Sequence, residues 1–283
     1  MNFENYMHHI IYAFVYIIFV VAMKAILNFK SASHYSADEQ ISDGNMAVGL
    51  RRSGAQLGLA IAMVGVLSGS GTGSFASDLL NTTSYGALAL AFMITSLFFT
   101  DKVILPNVDN TAELRKGNVA VGIIEFAVLV MTGLIAYASI KGDDGGAISS
   151  IIYFVAGQLS LIVLILLYEK VFAGKLNPVE HALKGNMSAG IYLAGKIISY
   201  GLILQSAIVG NGIAQSNTDA ALQFVATAVA GMVVLYLFEI VIDVLIITSV
   251  KVSDIIIGDH KVAAIQLSLA KIGMALILGM AIL

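Results

Sequence analysis

Stretches of about 20 apolar residues recur along this chain, and each is long enough to cross the roughly 30 Å hydrocarbon core of a bilayer as a helix. Eight are present, at residues 8–28, 46–68, 82–105, 118–140, 147–168, 186–208, 219–248 and 261–282. Because 58% of the 283 residues are hydrophobic and only 12% are charged, the chain lacks the polar surface of a soluble domain. The sequence therefore predicts an all-α integral membrane protein with eight transmembrane helices.

Basic residues divide the connections between these spans into two kinds. Lys and Arg lie in or beside connections 1–2, 3–4, 5–6 and 7–8, whereas connections 2–3 and 6–7 contain neither. Short cytoplasmic connections carry an excess of Lys and Arg, so we expect the odd-to-even connections in the cytoplasm and both termini outside. Lys141, in connection 4–5, is the basic residue that disagrees.

The two halves of the chain resemble each other. GNMAVGLRRSG at Gly44 returns as GNMSAGIYLAG at Gly185, and RKGNVAVGIIE around Gly117 returns as IIGDHKVAAIQ around Gly258, both at an offset of 141 residues. Each half holds four spans, which is an even number, so the two halves have the same orientation in the membrane. We expect the repeats to divide at residue 143.

A shorter repeat lies within each half, since GNMAVGLRR and GNVAVGIIE align at an offset of 73 residues. Each four-helix repeat, over residues 1–143 and 144–283, is therefore predicted to consist of two helical hairpins. A polar residue opens each even span, and its side chain is predicted to accept hydrogen bonds from the first backbone N–H groups as an N-cap. These residues are Asn45, Asn118, Asn186 and Asp259.

Acidic residues end three of the odd spans: Asp101, Glu169 and Asp243. A carboxylate at a helix C-terminus opposes the helix dipole. We therefore expect each of these residues to have a basic partner, either the adjacent lysine or a residue on a facing helix.

These motifs resemble a known family. DGNMAVG from Asp43, DKVILP from Asp101 and KGNVAVG from Lys116 are similar to the YjfL-like bacterial inner-membrane family, a domain of unknown function whose usual members hold one four-span unit. The resemblance implies a tandem pair of that unit in the bacterial cytoplasmic membrane. It also implies a cytoplasmic membrane-stress protein of the phage-shock type as a partner, and it supplies no activity.

Four charged residues of the first half lie inside or at the edge of the spans: Arg51, Arg52, Asp101 and Glu125. Arg52 and Glu125 occupy the same position of the short repeat, so we expect them to pair at equal depth. Arg51 is about 100° away from Arg52 around the helix. It lies on a small-residue stripe that includes Gly58, where a neighbouring helix can approach and Asp101 is a candidate partner. Snorkelling of both arginines and a binding site remain alternatives.

The second half places its charges deeper, at Lys196, Glu239, Asp243 and Lys271. Charges near the bilayer midplane are costly, at least ~2.5 kcal/mol each on insertion scales, so each needs a partner or a function. A buried salt-bridge set and a proton or ion path are both consistent with these positions.

Catalytic and cofactor motifs are missing from the sequence. There is no cysteine, and no H-E-x-x-H, phosphate loop or G-x-S-x-G motif is present, so we expect no metal, no cofactor and no enzymatic activity. The net charge of −3 and the confinement of basic residues to short connections give no indication of nucleic-acid binding. The lipid bilayer is the expected partner, and self-association is compatible with the repeat.

Two functional classes remain. The first is a non-enzymatic membrane-stress component that docks a partner through its basic connections. The second is an ion or small-solute channel or transporter that uses the buried charges.

Overall fold

Helices account for all the regular structure in the described part of the chain. The computed structural model describes residues 3–69, 71–99, 101, 104–105, 108–141, 146–167, 176–210, 217–248 and 250–282. Within these ranges eight helices are long: α1 (Phe3–Ser31), α3 (Met46–Leu67), α4 (Phe75–Phe99), α6 (Val119–Ile140), α7 (Gly146–Leu167), α9 (Met187–Val209), α10 (Asn217–Leu245) and α12 (Lys261–Ile282). Four are short: α2 (Ala37–Ser42), α5 (Asn110–Arg115), α8 (Pro178–Leu183) and α11 (Val252–Ile257).

Six of the eight long helices in the described ranges are long and apolar enough to cross a membrane: α1, α6, α7, α9, α10 and α12. The sequence predicts α3 and α4 as spans too, but neither is among these six. α3 carries Arg51, Arg52 and Gln56 within its first half, and α4 begins with a polar stretch that reaches Tyr85. The all-helical architecture agrees with the prediction, while hydropathy alone supports six of the eight spans.

The second helices of the four hairpins pack side by side. α3 packs along α6, α6 along α9 and α9 along α12, and we call these four helices the central row. They are parallel, because Gly54 of α3 lies against Phe126 of α6 and Gly65 lies against Tyr137 farther along both helices. α4, α7 and α10 each pack over two neighbours in the row, and α1 packs on α3 and α4.

Small residues allow the central row to pack closely. A Cβ atom added to Gly58 would lie 2.2 Å from the Leu129 carbonyl oxygen, and one added to Gly133 would lie 2.2 Å from the Gly58 carbonyl oxygen. Helices in a membrane associate through such close backbone contacts, because the hydrophobic effect does not drive two helices together within lipid. As a result 78% of the α6 and α9 spans is buried, whereas only 33% of the span in α12, at the end of the row, is buried.

Each helix of the central row follows a short helix at the same end of the molecule, which we call the capped end. Three of the short helices begin with side-chain caps: Ser36 accepts from Glu39 N, Asp109 from Ala112 N and Asn177 from Glu180 N. The turn to the central helix then contains one residue with positive φ. These residues are Gly44 (87°), Gly117 (79°), Gly185 (87°) and Asp259 (50°).

Candidate functional site

One ion pair is almost completely buried between α3 and α6. Arg51 Nε lies 2.9 Å from Glu125 Oε2, and each side chain is 3% exposed. The Tyr35 side chain, between α1 and α2, hydrogen-bonds with Arg51, and burial raises the pKa of Tyr35 above its ordinary value. The two opposite charges thus cancel within the helix contact, where their removal from water is the main cost.

The pairing predicted for Arg52 with Glu125 is wrong. Arg52 instead contacts Asp38 of α2 and Asn28 of α1, at the capped end. The error has a geometric reason: the small-residue stripe of α3 faces α6, and Arg51 lies on that stripe. Arg52 is about 100° away and points towards α1 and α2. Equal depth along two helices does not bring two side chains together unless they also face each other.

Asp101 does not pair with Arg51 either. Its Oδ2 atom lies 2.6 Å from Lys30 Nζ at the C-terminal end of α1, and its Oδ1 atom accepts from Asn110 Nδ2 at 2.9 Å. The basic partner of Asp101 is therefore a residue on a facing helix, which is one of the two alternatives expected from the sequence. Glu169, for which the same expectation holds, lies outside the described residues.

The four charged residues of the second half form two ion pairs. Lys196 Nζ of α9 lies 2.5 Å from Glu239 Oε2 of α10, and Lys271 Nζ of α12 lies 2.9 Å from Asp243 Oδ1 of α10. The Tyr192 ring lies close to both lysines, with its centroid 5.5 Å from Lys196 Nζ and 4.6 Å from Lys271 Nζ. The group is electrically neutral, and its cation–π contacts add to the attraction of the pairs. Only Asp243, with its side chain 29% exposed, reaches the surface.

A small cavity borders Lys196 where the two halves of the chain meet. Its volume is about 20 Å³, and its wall includes Ile124 from the first half and Leu193 and Tyr200 from the second. Such a volume has room for about one water molecule. The lining surface is apolar, so a water molecule would find few partners there beyond Lys196. A lysine–carboxylate contact can hold two helices together, and it can exchange a proton when water reaches it.

Three asparagines both cap the central row and connect its repeats. Their Oδ1 atoms accept from the first backbone N–H groups of α3, α6 and α9. Their Nδ2 atoms donate to carbonyl oxygens at the C-terminal end of the short helix in the next repeat. These bonds run from Asn45 to Leu114 at 2.9 Å, from Asn118 to Leu183 at 3.1 Å and from Asn186 to Ile256 at 2.6 Å.

Asp259 differs from its predicted role as the cap of α12. Its positive φ gives it the backbone conformation of Gly44, Gly117 and Gly185, and His260 is the residue that precedes the helix. The Asp259 Oδ1 atom accepts from Ser188 N in the first turn of α9 instead. The predicted repeat is therefore one residue out of register here, because the match used Gly258 in place of Asp259.

Sequence reasoning missed the partners at the capped end, among them Lys30, Asp38 and Tyr35. The short helices that carry or flank these residues have a detectable signal, a Ser, Asp or Asn cap followed by an acidic residue within four positions. The electrostatics of this end are those of exposed ion pairs. Contacts with Arg52 and Lys24 lower the pKa of Asp38 to about 2, and Lys184 holds the pKa of Glu180 below its ordinary value.

Comparisons with known proteins agree with the duplicated helical architecture. The family model described as "Domain of Unknown Function (DUF350)" matches twice, over residues 1–140 and 144–282. A curated relative, "UPF0719 transmembrane protein" of Aquifex aeolicus (strain VF5), is 25% identical over 242 residues, which cover 84% of this chain and 87% of the relative. No solved structure matches the chain. The chain is a multi-pass membrane protein that belongs to the DUF350 family as a tandem pair of its domain.

Proposed function

We propose that this protein is a non-enzymatic component of the bacterial cytoplasmic membrane whose capped end docks a cytoplasmic protein. In this proposal all eight long helices span the bilayer, as two parallel four-helix repeats over residues 1–143 and 144–283. The capped end faces the cytoplasm and both termini lie on the other side. The basic residues of the capped end support this orientation: Lys30, Arg115, Lys116, Lys184, Lys251 and Lys261.

The observation that carries the proposal is the rigid construction of the capped end. Three asparagine bridges hold the successive short helices in a fixed arrangement. On this frame the side chains of Lys116 and Lys184 are 69% and 70% exposed. A preorganised surface loses little conformational entropy when a partner binds, which favours docking. Hydrogen bonding to Lys116 lowers the pKa of Glu113, so this acidic neighbour stays charged at neutral pH.

Photocrosslinking can test this docking. A photoreactive amino acid at position 116 or 184 should give an adduct with the same cytoplasmic protein in cells. Lys141 provides a matched control, because it is an exposed lysine that follows the last residue of α6, at the opposite end of the central row. No adduct from either capped-end position, or an equal adduct from position 141, would contradict the proposal.

Transport is the second candidate, and the ion pairs of the second half favour it. Lys196 and Glu239 lie within their helices rather than at the ends, and Asp243 gives the group one contact with the surface. In this case proteoliposomes should show a flux of protons, monovalent ions or polyamines under a gradient, and Glu239→Gln should abolish it. Lys30, whose ion pair with Asp101 lies at the capped end, supplies the control variant Lys30→Gln, which should leave the flux intact. Absence of flux for the unaltered protein under every gradient would exclude transport of these solutes.

The two candidates predict different effects of the same variants. If the charges only fasten α9 to α10, Lys196→Met and Glu239→Gln should each lower stability, and the double variant should recover part of the loss. Docking at the capped end should then persist in the double variant. A transport function would instead be lost in both single variants and would stay lost in the double variant.

A further inference from the structure

The contact between neighbouring helices of the central row is built three times on one pattern. We number each helix of the central row from the residue that precedes it, which is position 0. In this numbering, positions 2, 9, 13 and 20 of one helix contact positions 4, 8, 15 and 19 of the next helix. The pairs that show this are Ala47 with Gly122, Gly54 with Phe126, Gly58 with Gly133, Gly65 with Tyr137, Ala120 with Gly190, Met131 with Gly201, Gly195 with Ser268, and Ser206 with Gly279. We call the first set of positions the leading face and the second the trailing face.

Within the described residues, the row leaves one copy of each face without a partner helix. The leading face of α12 consists of Val262, Leu269, Gly273 and Met280, and Val262 and Met280 are 81% and 73% exposed. The trailing face of α3 consists of Gly49, Ser53, Ala60 and Val64, and Val64 is 55% exposed. Each end of the row therefore presents the half of the contact that the other end lacks.

Glycine positions indicate that these two faces are built for a helix. The four helices of the central row contain eleven glycines, and at nine of them an added Cβ would come within 3.0 Å of a neighbouring helix. The two exceptions are Gly49 and Gly273, where no atom of the described residues lies within 4 Å. Glycine costs a helix about 1 kcal/mol relative to alanine. In membrane helices small residues are enriched where another helix packs.

The two faces also match in residue size at three of their four positions; at the fourth, Met280 meets Val64. The register used three times inside the chain places Val262 against Gly49, Leu269 against Ser53 and Gly273 against Ala60. The first two matches put a larger aliphatic side chain against a small residue, as Met131 packs against Gly201. The third puts two small residues at the position of Gly58 and Gly133, where the row is tightest.

The capped end is incomplete at the same place. Each bridging asparagine donates to the short helix of the next repeat; His260 takes the asparagine's place before α12, and its side chain is exposed. It borders an open groove of about 760 Å³ between the end of α10 and the start of α12. The carbonyls of Ile41 and Ser42 at the end of α2 correspond to those of Leu114 and Arg115, which accept from Asn45.

We propose that a second copy of this chain docks its α2–α3 edge against α12, so that copies associate head to tail in the same orientation. α2 of the second copy enters the groove beside His260, and its α3 lies on the leading face of α12. The contact continues the interface that joins α3 to α6, α6 to α9 and α9 to α12. Because it uses two different faces, it generates a closed ring or an open row rather than a two-fold dimer.

Cysteine crosslinking tests this arrangement, since the natural chain has no cysteine. Two differently tagged copies, one with Gly273→Cys and one with Ala60→Cys, should form a disulfide-linked heterodimer in oxidised membranes. A chain that carries both changes should give a ladder of higher oligomers. Val229→Cys, on the exposed face of α10 at 59% exposure, is the control for random collision in the bilayer.

Two results would overturn the proposal. Ala60→Cys copies that crosslink with each other as efficiently as with Gly273→Cys copies would indicate a two-fold contact through α3. Crosslinking no greater than that of Val229→Cys would indicate that lipid covers both faces.

A bulky substitution supplies a second measurement that does not depend on disulfide chemistry. Gly273→Trp adds its side chain in open space, so the fold should survive, as an unchanged melting temperature would show. Native mass spectrometry should then show a shift to single chains, whereas Val229→Trp should assemble like the unaltered protein. Unchanged assembly of Gly273→Trp would contradict the proposed interface.

Discussion

The ion pair between Arg51 and Glu125 gives the sharpest test of how the first half is held together. Both side chains are 3% exposed and their charges lie 2.9 Å apart. Arg52, the next residue, is paired with Asp38 in a more accessible position at the capped end. We therefore expect Arg51→Met and Glu125→Gln to be strongly coupled, and Arg52→Met to be independent of Glu125→Gln.

The magnitude follows from the geometry. At 2.9 Å and an effective dielectric constant of about 20, the attraction is about 6 kcal/mol. Removal of two charges from water costs several kcal/mol each, so the pair as a whole contributes little net stability. A single substitution is different, because it leaves one charge buried without its partner and costs about 3–5 kcal/mol. Glu125→Gln should cost more than Arg51→Met, since a carboxyl group can take up a proton whereas a guanidinium cannot lose one.

The double variant Arg51→Met/Glu125→Gln should recover about 3 kcal/mol or more relative to the sum of the single changes. The free energy of unfolding can be measured by circular dichroism as dodecyl sulfate is titrated into mixed micelles, a suitable probe because the chain has no tryptophan. The Arg52→Met cycle with Glu125→Gln should be additive within about 0.5 kcal/mol. Additivity for Arg51, or coupling for Arg52, would refute the assignment of the pair.

Three further predictions concern packing, capping and pH. Gly58→Leu should prevent folding, because its Cβ would lie 2.2 Å from a backbone oxygen of α6, whereas Gly273→Leu should fold with the yield of the unaltered protein. Asn118→Ala removes a cap and two bridging hydrogen bonds to α8, and it should lower the free energy of unfolding in the same titration by about 2–4 kcal/mol. Because the pKa of Asp38 is lowered from 3.8 to about 2, its ion pairs should stabilise the protein above about pH 4 and fail as the pH falls towards 2. Asp38→Asn should remove this acid-side loss, and an unchanged acid-side profile in that variant would assign the loss to other carboxylates.

Much of the fold is readable from the sequence because local rules specify it. The long helices follow from apolar stretches of membrane length, and the hairpin repeat follows from the recurring Gly-Asn motif that caps α3, α6 and α9. The register error at α12 shows that residue identity alone can misalign a repeat. Asp259 adopts the left-handed conformation that glycine supplies elsewhere, so the functional equivalent of Gly117 is an aspartate.

The ion pairs of the candidate site are harder to predict from the sequence, because they depend on which way each side chain points around its helix. Sequence gives the depth of Arg51 and Arg52 along α3, and the small-residue stripe gives the face on which Arg51 lies. It does not say which helix covers that face, and the partner of Arg51 follows only once α6 is placed there. The short helices were missed for a different reason: at six residues, they are too brief for hydropathy to detect.

The asparagine bridges have an electrostatic consequence for the central row. Four parallel helices begin at one end, and each carries the equivalent of about half a positive charge there, so their N-termini repel one another. Each bridging amide turns its oxygen to such an N-terminus and its nitrogen to the C-terminus of a short helix, which carries the opposite partial charge. The short helices therefore act as local counter-dipoles that offset the N-termini of α3, α6 and α9 separately. A row built in this way can gain or lose a hairpin without an accumulating electrostatic cost, which accounts physically for a fold that grows by duplication.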